Sequence, residues 1–401
     1  MGTRLSAFLA LLLLLALPAR AAEPLIVISI DGFRADYIER GVTPTLAMLA
    51  RDGVRARAMR PSFPALTYPN HYTLATGLYP DHHGVVDNAM WDDAVSRDKF
   101  TVKGKYPDLP GWWEQAKPLW ESAQGQGRVT AAAGWPGTSV AIHGLRPNYL
   151  DPWRGGRDPQ EIAEVALAWL DLKHPATLQF LYFDDVDRAG HDHGPDAPEL
   201  NDALRRVDGA LAALVAGLKK RGLYGRANIV IVSDHGMAAT ANARATVIDE
   251  LVGPDIASIR STAAATVGID ALPGKEAEVA AILLAPHPHF TCWRKGEIPA
   301  RFHYGSHPRV PHFFCLNQTG WGFTTKAARE GWTKEHPGDH GFDPADPAMA
   351  ALFVAHGPAF RRGITLEPFD NVNVYALLAK VSGVMPEKND GSLAVFAGGL
   401  K

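Results

Sequence analysis

A segment rich in aspartate and histidine follows an apolar run near the middle of this sequence. Residues 179–183 lead into Asp184, Asp185 and Asp187 and then into His191 and His193. If the segment is helical, the four-residue spacing of Asp187 and His191 places both side chains on one face. Carboxylate oxygens and imidazole nitrogens are ligands that zinc accepts. The pattern is typical of a metal site, although a solvated loop could have the same composition.

Three apolar runs of the sequence end in an acidic residue. They are LIVISI before Asp31, LQFLYF before Asp184 and NIVIVS before Asp234. Runs without polar alternation suit strands covered on both faces, as in a parallel sheet, and ligands of α/β folds bind where such strands end. His235 follows Asp234 directly, and His340 lies in the glycine-flanked loop PGDHGFDP. We therefore expect these acids and histidines to converge at one edge of a sheet.

The stretch LTYPNHYTLATG begins like a helix, with Thr67 suited to the N-cap and Pro69 to the first turn. Thr67 could instead be a nucleophile, because a helix N-terminus offers free N–H groups to a phosphate oxygen. A metal ion in contact with the hydroxyl would lower its pKa and activate it. Spacing alone does not choose Thr67 over Ser62 or Thr73.

Helical patterns alternate with the apolar runs, which predicts an α/β fold with crossover connections. The clearest helices are TPTLAMLARDG and PELNDALRRVDGALAALVAGLKKRGL, and MAALFVAHGPAF is a later strand candidate. Residues 241–325 differ, since IDALPGKEAEVAAILLA indicates strand, turn and helix, and HPHFTCWRKGEIPARFHYGSHPR looks irregular. We expect a main domain with the candidate catalytic residues over 22–240 and 326–401, interrupted by a smaller α+β subdomain at 241–325.

The first residues have the features of a secretory signal peptide. Arg4 precedes the apolar residues 7–17, and Ala19-Arg20-Ala21 has the small–x–small pattern of a cleavage site. The apolar run is shorter than the roughly 20 residues that span a bilayer, which leaves an uncleaved anchor as the lesser alternative. We expect residues 1–21 to be a cleaved signal peptide, although the sequence does not decide whether cleavage follows Ala21. We also expect no membrane span in the mature chain and a periplasmic or secreted protein.

Export would expose the two cysteines of the sequence to an oxidising compartment. Cys292 and Cys315 could then pair. Their spacing does not decide this, because the distance between the two Cα atoms does not follow from sequence separation.

Composition and charge limit the classes of ligand. The 401 residues are 46% hydrophobic and 21% charged, as in a globular protein. The formal net charge of −3 provides no basic field for a nucleic-acid backbone. We therefore expect no binding of duplex nucleic acid, whereas small nucleotides remain possible ligands.

Together the motifs resemble the nucleotide pyrophosphatase/phosphodiesterase family of the alkaline phosphatase superfamily. The resemblance is carried by VISIDGFRADYI, PSFPALTYPNHYTLATGLYPDHHGVVDNAMWD, LYFDDVDRAGHDHGP, IVIVSDHGM and GDHGFDP, in this order. It implies an α/β/α sandwich with a mostly parallel central sheet and two zinc ions per subunit. By residue-to-residue match, the implied ligands are Asp187, His191 and His340 for one ion, and Asp31, Asp234 and His235 for the other.

The same match implies roles for four further residues. Thr67 would be the nucleophile in contact with the second ion, Asn88 would bind a non-bridging phosphate oxygen, and Tyr68 and Tyr182 would flank a nucleobase. The neighbours without a ligand role, expected at surface or supporting positions, are His82, His83, His193, His336, Asp184 and Asp185.

The implied reaction is hydrolysis of a nucleotide phosphodiester or phosphoanhydride bond to a nucleoside 5′-monophosphate through a covalent threonine intermediate. One alternative keeps the family but changes the substrate to choline-bearing or glycerol phosphodiester lipids. A second is a phosphomonoesterase of the same superfamily, and a third is an exported zinc-binding protein without catalysis. The sequence makes no prediction of the oligomeric state.

Overall fold

The computed structural model describes residues 23–102 and 108–401, and the expected signal peptide, residues 1–21, lies outside them. The strands are β1 (Leu25–Ile30), β2 (Val54–Ala56), β3 (Met59–Arg60), β4 (Ala89–Asp92), β5 (Ser96–Thr101), β6 (Thr130–Ala133), β7 (Tyr149–Asp151), β8 (Leu178–Phe183), β9 (Asn228–Val232), β10 (Ala238–Ala239), β11 (Ala245–Val247), β12 (Ala257–Thr262), β13 (Thr266–Ala271), β14 (Phe290–Arg294), β15 (Phe313–Asn317), β16 (Gly322–Thr324), β17 (Gly338–Asp339), β18 (Phe353–His356), β19 (Ile364–Leu366) and β20 (Phe369–Asp370). The α-helices are α1 (Pro44–Arg51), α2 (Thr67–Thr76), α3 (Pro80–His83), α4 (Leu119–Gly125), α5 (Pro159–Leu170), α6 (Asp185–His193), α7 (Pro198–Lys220), α8 (Glu276–Leu283), α9 (Lys326–Glu330) and α10 (Val374–Ser382).

The central sheet has the strand order β19-β2-β18-β9-β1-β8-β6-β7. Its pairs are parallel except where β18 runs antiparallel to both β9 and β2. The predicted mostly parallel sheet is therefore confirmed. In register, Ile30 of β1 lies opposite Phe183 of β8, and Ser29 lies opposite Val232 of β9. The three strands end at the same level, so the residues that follow them emerge side by side.

Helices cover both faces of this sheet, which makes it an α/β/α sandwich. Leu25 and Val27 of β1 belong to the apolar cluster on one face, whereas Ile26, Ile28 and Ile30 belong to the cluster on the other. This division follows from the alternation of side chains along a strand. It explains why the strands appear in the sequence as unbroken apolar runs.

The longest helix, α7, packs on this sheet through an apolar stripe. Leu204, Leu211 and Leu218 recur every two turns on its buried face. Asp208 on the same face accepts hydrogen bonds from the backbone N–H groups of Thr45 and Leu46, at 3.0 and 2.8 Å. The first N–H groups of a helix have no partner within the helix. Asp208 therefore provides hydrogen-bond acceptors for two of these groups and orients the start of α1.

A second sheet lies within residues 257–317 and has its own apolar cluster. Its antiparallel strands have the order β12-β13-β15-β14. The predicted strand, turn and helix are confirmed as β13 and α8. The prediction of an irregular stretch at residues 287–309 is wrong in part, because β14 lies within it. β14 is short and lies between flanks rich in proline and histidine. It contains too few alternating residues for the two-residue period of a strand to be recognised in the sequence. The boundaries assigned to the subdomain stay predictions.

The two cysteines form a disulfide between adjacent strands of this sheet. Cys292 of β14 and Cys315 of β15 lie directly opposite each other and are bonded. The pairing that spacing left open is thus decided by strand register. Across residues 23–102 and 108–401, no helix combines the length and the apolar character needed to cross a membrane.

His83 at the end of α3 is fully buried, which the sequence did not indicate. Its Nδ1 accepts a hydrogen bond from the N–H of Val85 at 3.1 Å, so Nε2 carries the hydrogen that it donates to Thr73 Oγ1, also at 3.1 Å. Burial lowers the pKa of His83 to about 3. Protonation of Nδ1 would place a buried charge in the fold, and the new N–H would face the N–H of Val85. The folded protein therefore disfavours the protonated ring.

We expect this histidine to make stability depend on pH. Its unfolded pKa is about 6.5, so below that pH the unfolded chain binds more protons, and the free energy of unfolding falls by roughly 2 kcal/mol between pH 7 and pH 5. His83→Gln should lower stability at pH 7 and remove this part of the slope, as measured by urea unfolding at several pH values. The control is His174→Gln, at an exposed histidine, which should keep the pH dependence of the free energy of unfolding. The same pH dependence in wild type and His83→Gln would contradict the role of His83.

Candidate functional site

The carboxyl ends of β1, β8 and β9 form the floor of the candidate site. Asp31 follows β1, Asp187 lies in the first turn of α6 after β8, and Asp234 follows β9. Gly32 has a φ of 67° and packs so closely on α6 that a Cβ there would lie 2.9 Å from the Cα of Asp187. Only glycine allows the two segments to approach to this distance.

The six residues implied as metal ligands lie together in two groups. One group is Asp187, His191 and His340, and the other is Asp31, Asp234 and His235. Within each group the potential ligand atoms all lie within 4.8 Å of one another. The rings of His235 and His340 are stacked with their centroids 3.5 Å apart, so the two groups are neighbours.

All three histidines present the same nitrogen to their group. The other nitrogen, Nδ1, bonds to a backbone carbonyl in each case: His191 to Gly338 (3.0 Å), His235 to Gly236 (2.9 Å) and His340 to Ala65 (2.9 Å). A carbonyl oxygen only accepts, so Nδ1 carries the hydrogen and Nε2 keeps its lone pair. Outer hydrogen bonds of this kind orient histidines that bind metals.

The carboxylates lack the donors that buried oxygens require. Asp31 Oδ1, Asp187 Oδ1 and Asp234 Oδ2 are buried without a hydrogen-bond partner among the described residues. The Nε2 atoms of the three histidines lie 3.0 to 3.6 Å from these oxygens. Nδ1 of His71 lies 3.4 Å from Asp234 Oδ2, but its hydrogen is donated to the Thr67 carbonyl. In the neutral rings the three Nε2 atoms present lone pairs, so the groups then consist of acceptors that face one another. A cation between them removes this cost, so the residues fit metal ions with mixed nitrogen and oxygen ligands.

The electrostatics of the floor agree with this interpretation. Burial raises the pKa of Asp31 well above its usual value, and the charges of Asp234 and Asp187 raise it further. The hydroxyl of Tyr182 donates a hydrogen bond to the other oxygen of Asp31. A bound divalent cation would be the largest local charge and would reverse the pKa shift.

Thr67 is the first residue of α2 and not its N-cap. Leu66 occupies the cap position with an extended backbone, so the capping prediction for Thr67 is wrong. Its Oγ1 lies 3.4 Å from Nε2 of His235. Of the other two candidates, Ser62 donates to Asn371 at 2.8 Å and Thr73 contacts His83, both away from the two groups. Only Thr67 of the three hydroxyls lies at the candidate site.

His71, which sequence reasoning missed, anchors the first turn of α2. Its Nδ1 donates to the carbonyl of Thr67 at 2.8 Å, and its Nε2 pairs with Ser29 Oγ of β1 at 2.9 Å. Burial lowers the pKa of His71, which keeps the ring neutral. The available signal was its position four residues after Thr67, on the same helix face.

Asn88 and Tyr68 meet at the start of the same helix. Asn88 Oδ1 accepts a hydrogen bond from the N–H of Tyr68 at 2.9 Å. The Nδ2 group of Asn88 has no hydrogen-bond partner in the part of the chain that the structure describes. The half-buried ring of Tyr68 packs on Phe100 and Trp113, with centroids 5.6 and 5.8 Å away. Asn88 is therefore next to Thr67 with a donor available.

The second tyrosine makes a contact that the sequence did not predict. Tyr182 is only 9% exposed, packs edge-on against His71 and bonds to Asp31, so it supports a candidate ligand. Its contact with a nucleobase stays a prediction. A more exposed aromatic residue nearby is Trp153, whose indole donates to Asp184 at 3.2 Å. The signal that could have found Trp153 was a lone tryptophan in a polar loop.

Comparisons with known proteins give the family. The model of type I phosphodiesterases/nucleotide pyrophosphatases matches residues 25–343. A pyrophosphatase/phosphodiesterase of Schizosaccharomyces pombe, named as uncharacterised, is 34% identical over 379 residues, which cover 92% of this chain and 78% of that protein. A bis(5′-adenosyl)-triphosphatase of Xenopus laevis is 32% identical over 382 residues, which cover 94% of this chain and 82% of that protein.

Solved structures agree in fold. Murine ectonucleotide pyrophosphatase/phosphodiesterase 5 superposes with a TM-score of 0.89 at 32% identity, covering 94% of this chain and 100% of that chain. A second structure of the murine protein, an inactive threonine-to-alanine variant in complex with AMP, has a TM-score of 0.88. The chain therefore belongs to the type I phosphodiesterase/nucleotide pyrophosphatase family and is a hydrolase of phosphodiester and pyrophosphate bonds.

Proposed function

We propose that this protein uses two zinc ions to hydrolyse nucleotide phosphodiester or phosphoanhydride bonds to nucleoside 5′-monophosphates, through a covalent intermediate on Thr67. The observation that carries the proposal is the position of Thr67 Oγ1, 3.4 Å from His235, at a helix start beside two groups of unpartnered carboxylate oxygens. The murine relative supports it, because a threonine-to-alanine variant of that protein is inactive and forms a complex with AMP.

The ligand sets would be Asp187, His191 and His340 for one ion, and Asp31, Asp234 and His235 for the other. When bound, the ions would lower the pKa of a contacting hydroxyl and stabilise charge on the attacking and leaving oxygens. Histidine and carboxylate ligands suit zinc. The carbonyl bonds hold the hydrogen on Nδ1 of each neutral ring, so that Nε2 faces the ion.

Thr67 Oγ1 would attack phosphorus, forming an Oγ1–P bond while the bond from phosphorus to the leaving oxygen breaks. The leaving oxygen takes up a proton, and water then displaces Thr67 and restores its hydroxyl. His71 would hold the first turn of α2 in place through the Thr67 carbonyl. Nδ2 of Asn88 would donate to a non-bridging oxygen, where charge grows in the transition state.

The substrate would be a small nucleotide whose base lies against Tyr68 and Tyr182. We propose export to the periplasm or the extracellular space, by the signal peptide of residues 1–21. The disulfide between Cys292 and Cys315 supports export, because disulfides persist in oxidising compartments.

Thr67→Ala should lower kcat for bis(p-nitrophenyl) phosphate by about 10³-fold or more, because the attacking oxygen is removed. Thr67→Ser should retain much of the activity, since it keeps the hydroxyl. Ser62→Ala is the matched control and should turn over within about twofold of the wild type. A Thr67→Ala protein with bound metal and near wild-type kcat would disprove the nucleophile.

Chelation should remove activity and lower the melting temperature, because the buried carboxylates lose the cation that balances them. Zinc should restore both, with two equivalents bound per chain by elemental analysis. Asp187→Asn should bind one ion fewer, whereas Asp184→Asn in the same segment should keep two. Full turnover by the chelated protein, or one equivalent bound at saturation, would contradict a two-zinc site.

Diesters should be preferred to monoesters, because Asn88 and the helix start provide donors but the candidate site has no arginine among its named groups. The kcat/KM for bis(p-nitrophenyl) phosphate should exceed that for p-nitrophenyl phosphate by at least about tenfold. ATP should yield AMP and pyrophosphate. A reversed preference would favour the monoesterase, and release of phosphocholine from a lysophospholipid without nucleotide turnover would favour the lipid substrate.

A further inference from the structure

The segment that carries Asn88 is held from one side by the inserted subdomain. Residues 84–88 connect α3 to β4. Three side chains of the subdomain bond to this connection. The bonds are Ser261 Oγ to Asp87 Oδ2 (3.1 Å), Tyr304 OH to the Val86 carbonyl (3.2 Å) and Arg309 Nη1 to the Gly84 carbonyl (2.6 Å). The donors lie more than 170 residues from their acceptors along the chain. The conformation of this segment therefore depends on a distant part of the sequence.

Asp87 joins the subdomain to the turn itself. Its Oδ1 accepts a hydrogen bond from the N–H of Ala89 at 3.0 Å, which closes an Asx turn around Asn88. Its Oδ2 accepts from Ser261. Asp87 is 4% exposed and Ser261 3%, so water does not replace either bond.

Such a buried carboxylate is costly. Among the described residues Asp87 has no ion pair within 4 Å, and burial raises its pKa to about 6, although Lys99 lies close enough to lower it slightly. A buried polar group of this kind can set a geometry that an apolar residue would not set. Here that geometry is the backbone of Asn88.

The other end of the connection is the first turn of α2. Asn88 Oδ1 accepts from the N–H of Tyr68, the residue after Thr67. Ser261 is therefore connected to the start of α2 by hydrogen bonds on either side of the Asp87–Ala89 turn and by the covalent backbone of that turn, which includes Asn88. The subdomain reaches the candidate nucleophile through this path.

We propose that Asp87 and Ser261 are positioning residues that fix Asn88 with its Nδ2 towards a phosphate oxygen, so that the inserted subdomain forms part of the phosphate-binding machinery. The proposal rests on the proposed function, because it takes Asn88 as a donor to phosphate. Donors of this kind act mainly in the transition state, where charge on the oxygens grows. Their loss or misplacement lowers kcat more than it changes KM.

A double-mutant cycle between Ser261 and Asn88 tests the proposal, with bis(p-nitrophenyl) phosphate as substrate. Asn88→Ala should lower kcat about 10²-fold, and Ser261→Ala should lower it about tenfold, with KM changed less than twofold. In the Asn88→Ala background, Ser261→Ala should have no further effect on kcat. Ser258→Ala is the matched control on the same strand, since its hydroxyl has no hydrogen bond among the described residues, and it should retain wild-type kcat.

Asp87→Ala provides a second cycle and decides the question if Ser261→Ala does not fold, as judged by melting temperature and metal content. It removes the acceptor of both the Ser261 hydroxyl and the Ala89 N–H, which Asp87→Asn would not do, because an amide nitrogen can donate to the Ser261 oxygen. We expect a loss of kcat at least as large as that of Ser261→Ala, again absent without Asn88.

Two results would overturn the positioning role and leave the proposed function intact. In the first, the Ser261 and Asp87 variants lower kcat equally in the wild-type and the Asn88→Ala backgrounds. In the second, neither variant lowers kcat although Asn88→Ala does. Wild-type turnover by metal-bound Asn88→Ala would overturn the role of Asn88 itself and the positioning role with it.

Discussion

The parallel register of β8, β1 and β9 is the constraint on which the rest of the site depends. Because these strands end at the same level, the segments that follow them bring Asp187, Asp31 and Asp234 together at one edge. A shift of one residue in any strand would turn its side chains to the opposite face. The register is secured by apolar packing on both faces of the sheet, so the core of the protein determines the geometry of its polar floor.

That floor is costly without a cation. A buried acceptor that lacks a donor costs about 1–3 kcal/mol, and three such oxygens face histidine nitrogens that present lone pairs. The surrounding backbone makes this arrangement rigid, since each histidine is held by a carbonyl and Asp31 by Tyr182. A site of this kind is organised before any ligand binds, and metal binding and folding become linked.

Two parts of the protein meet at the start of α2. From the sheet, His71 joins the Thr67 carbonyl to Ser29 of β1. From the second sheet, Ser261 bonds to Asp87, and the neighbouring Asn88 bonds to the N–H of Tyr68. Thr67 lies between these two supports. The second sheet, which contains the disulfide, is thus connected to the candidate site by polar contacts.

The sequence by itself determined the strands, the long helices and the residue types of the site. Apolar runs and helical periods are local patterns, so β1, β8 and α7 could be predicted from them, and the family resemblance implied the six ligand positions. Spacing left Thr67, Ser62 and Thr73 open, the family resemblance implied Thr67, and the structure places Thr67 alone of the three at the candidate site. Only the tertiary structure paired Cys292 with Cys315 and brought His71 and Asp87 into contact with their partners. Each of these depends on a distance between segments far apart in the chain, and no local pattern contains that distance.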